Sequence, residues 1–157
     1  LGGVLAAVLV GPAAGYIIIT IVLVVQALLF ADGGLSALGL NIVNMALVGS
    51  VGGYYLYRLL YRVGGAKRSS VPVLAGIAAF TSLPMSAAAF AVEFAIGGTA
   101  ESVSMGAIWA ALVGTHALIG VGEGVLTALV VGAVMSARPD LVYGAPTYAG
   151  GRTEELV

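Results

Sequence analysis

The sequence predicts an all-α fold: a polytopic α-helical integral membrane protein with about four complete spans and a truncated first helix. Two properties of its composition support this. Of the 157 residues, 61% are hydrophobic and only 8% are charged, and the mean hydropathy is +1.12. These charges are too few to solvate the surface of a water-soluble protein of this length. The third observation is a succession of apolar runs, several of them close to the ~20 residues that cross a hydrocarbon core.

The apolar runs define the expected spans. Residues 1–11 are too short to cross a bilayer, and we interpret them as the end of a span whose beginning is missing. Gly11 and Pro12 then mark a turn. Each longer run must be helical, because an unpaired strand in lipid cannot satisfy its backbone hydrogen bonds. The four complete spans are expected at residues 13–30, 40–62, 71–96 and 105–137.

Basic residues set the expected topology. The loop 63–70, with Arg58 and Arg62 just before it, holds four of the six Lys and Arg residues. By the positive-inside rule this loop lies in the cytoplasm. The connection 31–41 between the first two complete spans is therefore expected on the outer side.

Pro84 lies near the middle of the third complete span. A proline inside a helix leaves one carbonyl without its helical N–H partner. Thr81 and Ser82 supply hydroxyls close by, which can satisfy freed carbonyls in a membrane helix. We therefore expect a kink at Pro84 and not a break.

The last apolar tract, residues 105–137, is unusually long. A continuous helix over it would measure about 50 Å, against a hydrocarbon core of ~30 Å. We expect one crossing that is interrupted at the glycine-rich residues 120–124. The residues from 138 to 157 contain Pro, Gly and charged side chains and are expected to form a flexible cytoplasmic tail. The transmembrane helical domain would then comprise residues 1–137.

Asp32 and Asn41 are the polar candidates of the outer connection. A carboxylate there would raise the local concentration of cations, so both residues are candidates for an outward-facing vestibule. The simpler alternative for Asp32 is a solvated carboxylate at a helix C-terminus that ends in a left-handed glycine. Asn41 and Asn44 could bond across helices, but capping of the next helix is the favoured use.

His116 and Glu123 are seven residues apart, about two turns along one face of a continuous helix. An ionisable residue inside a span is a functional candidate by default, although an ordinary interhelical hydrogen bond explains such residues equally well. We expect the pair to support a site at the interruption of the last span, lying deeper than the outer loops. Glu93, near the outer end of its span, can reach the membrane interface.

Several classes of function are disfavoured. The net charge of −1 and the lack of a basic face leave no electrostatic term for nucleic-acid binding. With no cysteine, thiolate metal sites and cysteine nucleophiles are excluded. No serine lies in a nucleophile-elbow context, and no phosphate-binding P-loop is present, so the chain cannot power transport by itself.

Four stretches carry a resemblance to a known family: GGVLAAVLVGP, VLVVQALLFADGGLSALGLNIVNMALVG, THALIGVGEGVLTALVV and ARPDLVYG. Over most of residues 1–143 the chain resembles the substrate-capture subunits of energy-coupling-factor transporters for cobalt and nickel, the CbiM/NikM family. The resemblance implies uptake of Co²⁺ or Ni²⁺ across a bacterial or archaeal cell membrane, in cobalt-type systems for cobalamin synthesis. The implied partners are a transmembrane coupling protein, two cytoplasmic ATPase subunits and a small accessory membrane subunit. No covalently bound cofactor is implied.

The chain departs from the family pattern at its N-terminus. Members resemble one another in a Met-His start and a Ser-Gly-His motif shortly before the position of Leu1, which together supply nitrogen ligands. The principal ligands are therefore expected upstream of Leu1, which leaves Asp32, Asn41, His116 and Glu123 as supporting or vestibule residues. The choice between cobalt and nickel stays open. Two other hypotheses stay open as well: a membrane enzyme that uses His116 and Glu123 as acid and base, and an assembly subunit without a ligand.

Overall fold

The computed structural model describes residues 2–64, 67–98 and 104–146, and the backbone of residues 148–149 and 152–153. The described chain is helical apart from short connections and one pair of two-residue strands, which confirms the all-α class. The α-helices are α1 (Gly3–Val10), α2 (Pro12–Leu29), α3 (Leu38–Asn41), α4 (Gly53–Val63), α5 (Val71–Gly97) and α6 (Met105–Ala137). A π-helix (Ile42–Gly52) joins α3 to α4, and 3₁₀ turns form at Arg68–Ser70 and Pro139–Leu141. The strands β1 (Tyr148–Ala149) and β2 (Arg152–Thr153) pair antiparallel.

Three helical stretches of the described residues are long and apolar enough to cross a membrane: Pro12–Leu29, Arg68–Gly97 and Met105–Ala137. They correspond to three of the four predicted complete spans and confirm a multi-pass membrane protein. The fourth predicted span, residues 40–62, is helical throughout, because the π-helix continues α3 directly into α4. Its Asn, Ser and Tyr side chains make it less apolar than the other three. The short helix α1 ends at Gly11, whose φ of 94° turns the chain before Pro12 begins α2.

The predicted interruption of the last span is wrong. Helix α6 is one continuous α-helix of 33 residues. Its glycines pack it against α5: a Cβ on Gly124 would lie 2.8 Å from the carbonyl oxygen of Gly76, and a Cβ on Gly76 would lie 2.7 Å from the carbonyl oxygen of Gly124. Small residues let two membrane helices approach this closely. A helix longer than the hydrocarbon core is accommodated by tilting or by extending beyond it.

Helix α5 passes through Pro84 without a break, as expected. The nearby hydroxyls do not serve the carbonyl that Pro84 leaves without a partner, which is that of Phe80. Thr81 donates to the carbonyl of Ile77 at 2.8 Å, and Ser82 donates to that of Ala79 at 2.8 Å. The Phe80 carbonyl instead faces Gly120 of α6, where an added Cβ would lie 2.7 Å from its oxygen. Such an approach fits a weak Cα–H···O contact between the helices.

The main core lies at one end of the bundle, which we call the basic end because Arg58, Arg62, Lys67, Arg68 and Arg138 lie there. Side chains from α1, α4, α5 and α6 meet in it. Tyr57 of α4 is completely buried, and its hydroxyl donates to the carbonyl of Gly144 at 2.6 Å. The buried members of this core are Val4, Ala7, Val8, Tyr54, Tyr57, Tyr61, Val71, Ala75, Ala78, Ala79, Val131, Val142 and Ala145.

Residues 139–146 correct the expectation of a flexible tail that starts at Arg138. The backbone N–H groups of Tyr143 and Gly144 donate to the carbonyls of Leu9 and Val8 at 3.1 and 2.8 Å. Arg138 also donates two hydrogen bonds to the exposed carboxylate of Asp140, which lower the pKa of Asp140. The first part of the predicted tail is therefore packed on α1. Most of the remainder lies outside the described residues, and the division into a membrane domain and a cytoplasmic tail stays a prediction.

Candidate functional site

A cavity of about 160 Å³ lies between the π-helix, α5 and α6, beside the start of α1. It contains both ionisable residues that the sequence places in the middle of the last span. Its volume is below the ~300–1,000 Å³ typical of sites for drug-sized molecules. The cavity is therefore suited to an ion, to water or to the side chains of another segment. Its walls are formed by Gly3, Met45, Gly49, Ser82, Leu83, Ser86, His116, Ile119 and Glu123.

His116 is half-buried in the wall of this cavity. Its Nδ1 lies 2.7 Å from the carbonyl oxygen of Leu112, one turn earlier in α6. A carbonyl can only accept, so Nδ1 carries the proton in this hydrogen bond. In the neutral ring, Nε2 then has the lone pair. His116 can therefore offer one nitrogen, either as a hydrogen-bond acceptor or as a metal ligand.

Glu123 holds the start of the described chain. Its Oε1 accepts a hydrogen bond from the backbone N–H of Gly2 at 3.2 Å. On the other side, the hydroxyl of Ser50 in the π-helix donates to the carbonyl of Gly3 at 2.8 Å. The first turn of α1 is thus fixed between α6 and the π-helix, at the edge of the cavity.

The structure brings His116 and Glu123 to one cavity, as their spacing on one face of a helix predicts. One part of the prediction is wrong: because α6 is continuous, the pair does not satisfy carbonyls opened by a helix break. The greater depth of the pair relative to the outer loops stays a prediction. Gly2, at the start of the described chain, contacts Glu123 directly.

Asn44 and Glu93 form a polar pair that sequence reasoning missed. The Nδ2 of Asn44 donates to Oε2 of Glu93 at 2.7 Å and so links the π-helix to α5. Asn44 bonds across helices and does not cap one, and Glu93 is engaged within the bundle. Asn44 is only 5% exposed, and its Oδ1 has no hydrogen-bond partner among the described residues. The next residue, Met45, lines the cavity, so the pair lies beside it.

Asp32 and Asn41 lie in and beside the connection that follows α2. Asp32 is exposed, and its backbone N–H donates to the carbonyl of Gln26 at 3.1 Å. The left-handed residue after the helix is Ala31, with φ 53°, and Gly33 and Gly34 follow with φ 73° and 70°. Asn41 directly precedes the π-helix but makes no capping hydrogen bond with its side chain, so its favoured use as a cap is wrong. Its Nδ2 donates instead to the carbonyl of Gly33 at 3.3 Å. Neither Asp32 nor Asn41 is among the residues that line the cavity.

The donors of the cavity form a partial ligand set. They are one imidazole nitrogen, the carboxylate of Glu123 and the thioether of Met45, a mixture that later transition metals accept. The hydroxyls of Ser82 and Ser86 already donate to backbone carbonyls of α5. Within the described ranges, no three His, Cys, Asp or Glu residues come together closely enough to hold a metal ion. A complete coordination shell would need donors from elsewhere.

Nearly the whole chain is similar to known proteins. The family model CbiM, described as "Cobalt uptake substrate-specific transmembrane region", matches residues 1–141. The chain is 42% identical over 143 residues to a putative fused nickel transport protein NikMN of Archaeoglobus fulgidus, covering 90% of this chain and 45% of that protein. It is 36% identical over 143 residues to a putative metal transport protein of Haloquadratum walsbyi, covering 90% of this chain and 62% of that protein.

A cobalt transport protein CbiM of Geobacter sulfurreducens is 36% identical over 138 residues, which are 88% of this chain and 40% of that protein. The chain thus spans 40% to 62% of the length of these three relatives. All three are named as transport proteins. No solved structure matches the chain.

Proposed function

Because the chain belongs to the CbiM family of cobalt-uptake substrate-specific transmembrane regions, we propose that it forms most of the membrane part of a metal-capture subunit. The substrate would be Co²⁺ or Ni²⁺, since relatives are named for transport of either metal. The observation that carries the proposal is the cavity at His116 and Glu123, which lies within the matched region. We infer transport and not catalysis as the role of this cavity.

The principal ligands, in this proposal, come from a segment that precedes Leu1 in the complete gene product. Co²⁺ and Ni²⁺ favour several nitrogen donors, and this chain has a single histidine. The contact between Gly2 and Glu123 supports the route, because a segment joined to Leu1 would enter the bundle close to the cavity. The carboxylate of Glu123 would hold the end of that segment through its hydrogen bond with the backbone N–H of Gly2. The Nε2 of His116 would accept a hydrogen bond from a ligand and so orient it.

The energy and the coupling would come from other subunits. The chain has no nucleotide-binding P-loop, so we propose that two cytoplasmic ATPase subunits act through a transmembrane coupling protein, with a small accessory membrane subunit. Asp32 and Asn41 would shape an outward vestibule, in which the exposed carboxylate raises the local concentration of cations.

The test is uptake of Co²⁺ and of Ni²⁺ by cells that express the complete gene product with its transport partners. In His116→Gln, the amide keeps a donor and an acceptor but is a poor ligand for these metals. If His116 only orients a ligand through a hydrogen bond, metal binding should persist and uptake should fall by less than the ~10-fold to 100-fold that loss of such a partner costs. Thr115→Ala, at an exposed neighbour outside the cavity, is the matched control and should leave uptake unchanged.

Two results would overturn parts of the proposal. If His116→Gln folds normally but loses metal binding as completely as a variant without the upstream histidines, then His116 is a principal ligand. If the unsubstituted complex transports neither metal, the proposed substrate class is wrong.

A further inference from the structure

A second cavity of about 430 Å³ opens at the basic end, between the start of α5 and the end of α6. One wall is polar and cationic, with Arg68 and Ser69 from the 3₁₀ turn that precedes α5. The other lining residues are mainly small or apolar, namely Pro72, Gly132 and Met135, together with Ser136. The cavity therefore joins a guanidinium at the membrane interface to apolar surface just inside it.

A third cavity of about 340 Å³ continues along the same two helices and has only apolar walls. On α5, the residues that line the two cavities are at positions 72, 73, 76, 77 and 80. These positions recur at intervals of three and four residues, so they share one face of the helix. The same holds on α6, which runs antiparallel to α5. The two cavities are thus consecutive parts of one surface groove along the α5–α6 pair. The apolar part is lined by Val73, Gly76, Ile77, Phe80, Val121, Gly124, Val125 and Ala128.

We propose that this groove binds an anionic phospholipid, with the headgroup phosphate at Arg68 and Ser69 and an acyl chain along the apolar part. The order of polarity along the groove matches that of a lipid molecule, with charge at the interface and hydrocarbon towards the membrane centre. Basic pockets between membrane helices near an interface are suited to anionic headgroups. A guanidinium has five N–H donors and can serve a phosphate in addition to other acceptors.

The charges around the groove favour an anion. Arg58, Arg62 and Lys67 lie at the same end of the bundle as Arg68. The described carboxylate at this end, that of Asp140, already accepts two hydrogen bonds from Arg138. Among the described residues at this end, basic side chains therefore outnumber carboxylates, and each basic residue near an anionic headgroup would contribute to its binding.

The experiment is native mass spectrometry of the complete gene product in detergent, with phosphatidylglycerol, phosphatidylcholine or inorganic phosphate added and no transported metal present. We expect phosphatidylglycerol to bind at least fivefold more tightly than phosphatidylcholine. Arg68→Gln should weaken phosphatidylglycerol binding by about fivefold, the effect expected of one basic residue near an anionic surface. Arg62→Gln, an exposed cation outside the groove, is the matched control and should have a smaller effect.

A second pair of variants tests the apolar side of the cationic cavity, where Pro72 and Gly132 face each other. Gly132→Leu places a side chain against Pro72, whose atoms lie 3.7 and 3.8 Å from the position of a Cβ, and should reduce binding of both lipids. Gly122→Leu has nothing within 4 Å of its Cβ and should leave binding unchanged.

The proposal is overturned if Arg62→Gln weakens binding as much as Arg68→Gln, which would indicate diffuse charge. It is equally overturned if Gly122→Leu acts like Gly132→Leu, or if inorganic phosphate displaces the lipid at similar concentration. Because no metal is present, failure here would not bear on the proposed transport function.

Discussion

The two ends of the bundle differ in what holds them together. At the basic end, α1, α4, α5 and the residues after α6 bury a continuous core that contains three tyrosines. At the opposite end, where α6 begins, none of the described residues 105–119 is buried, whereas Gly120, Gly124, Thr127 and Val131 are. The cavity with His116 lies between these two regions. Buried packing is thus concentrated at one end, and the candidate site residue His116 lies where packing within this chain is sparse.

The difference between the two ends indicates where the segment that we propose to precede Leu1 could act. The half of α6 that packs least within this chain carries His116. The start of α1 contacts α6 at Glu123, which is seven residues after His116. Substitutions at the packed end should therefore change stability. Substitutions at the other end should change transport with little change in stability.

The largest expected effect is at the α5–α6 crossing, which joins the two regions. In Gly124→Leu, the new side chain would start 2.8 Å from the carbonyl oxygen of Gly76 and 3.1 Å from Cβ of Phe80. Backbone atoms cannot move away without separating the helices, so we expect a loss of about 3 kcal/mol or more in unfolding free energy. Thermal unfolding in detergent measures it. Gly122→Leu, on the same helix and in open space, should unfold near the unsubstituted temperature; equal losses would show that the crossing does not depend on glycine.

The glycines of α6 also show what the sequence could and could not predict. Composition and the lengths of the apolar runs predict the membrane class and most helix bounds, because the thickness of the hydrocarbon core sets the length of each apolar run. Gly120 and Gly124 predict an interruption from sequence alone, but glycine both weakens helices and permits close helix contact. Only the facing Phe80 and Gly76 decide which effect applies.

The candidate site was predictable to the extent that it lies on one helix. His116 and Glu123 share a face of α6, and their spacing predicted this. The Asn44–Glu93 pair joins residues 49 positions apart, so it depends on how the π-helix lies against α5, which no local pattern encodes. The packing of Gly144 on Val8 was missed for the same reason, because a Pro- and Gly-containing sequence is equally typical of a flexible tail.

Removal of one hydroxyl group tests the packing of the basic end, and its effect should be the second largest. Tyr57→Phe removes the buried hydroxyl that donates to Gly144 and leaves that carbonyl without this partner. We expect a loss of about 1 kcal/mol, which corresponds to a melting temperature lower by ~2–4 °C for a chain of this size. Tyr55→Phe, at a side chain that is 58% exposed, is the control and should change the melting temperature by less. If both variants behave alike, the C-terminal residues do not stabilise the core through Tyr57.

The third prediction concerns the opposite end. A double-mutant cycle with Asn44→Ala and Glu93→Gln should give a coupling free energy of about 0.6 kcal/mol, the average for hydrogen bonds between membrane helices. We expect Asn44→Ala to reduce metal uptake by more than its effect on stability explains, because Asn44 precedes Met45 in the cavity wall. Unfolding measured in detergent and uptake measured in cells separate the two effects. A coupling of zero would mean that the 2.7 Å contact does not contribute.

The smallest expected effect is that of Asp32→Asn. Its carboxylate is exposed and its backbone is fixed by the carbonyl of Gln26, so the substitution should leave the melting temperature unchanged. One exposed charge attracts a divalent cation in water by ~2 kcal/mol at 4 Å, and by much less at larger separations in the presence of salt. Uptake by the complete gene product should therefore fall by about twofold at low metal concentration, and the difference should shrink as salt screens the charge. Ser36→Ala, in the same connection, is the control. Unchanged uptake of Asp32→Asn over a full titration of Co²⁺ and Ni²⁺ would show that the connection is only a turn, and that the chemistry of this end is confined to the groups around His116.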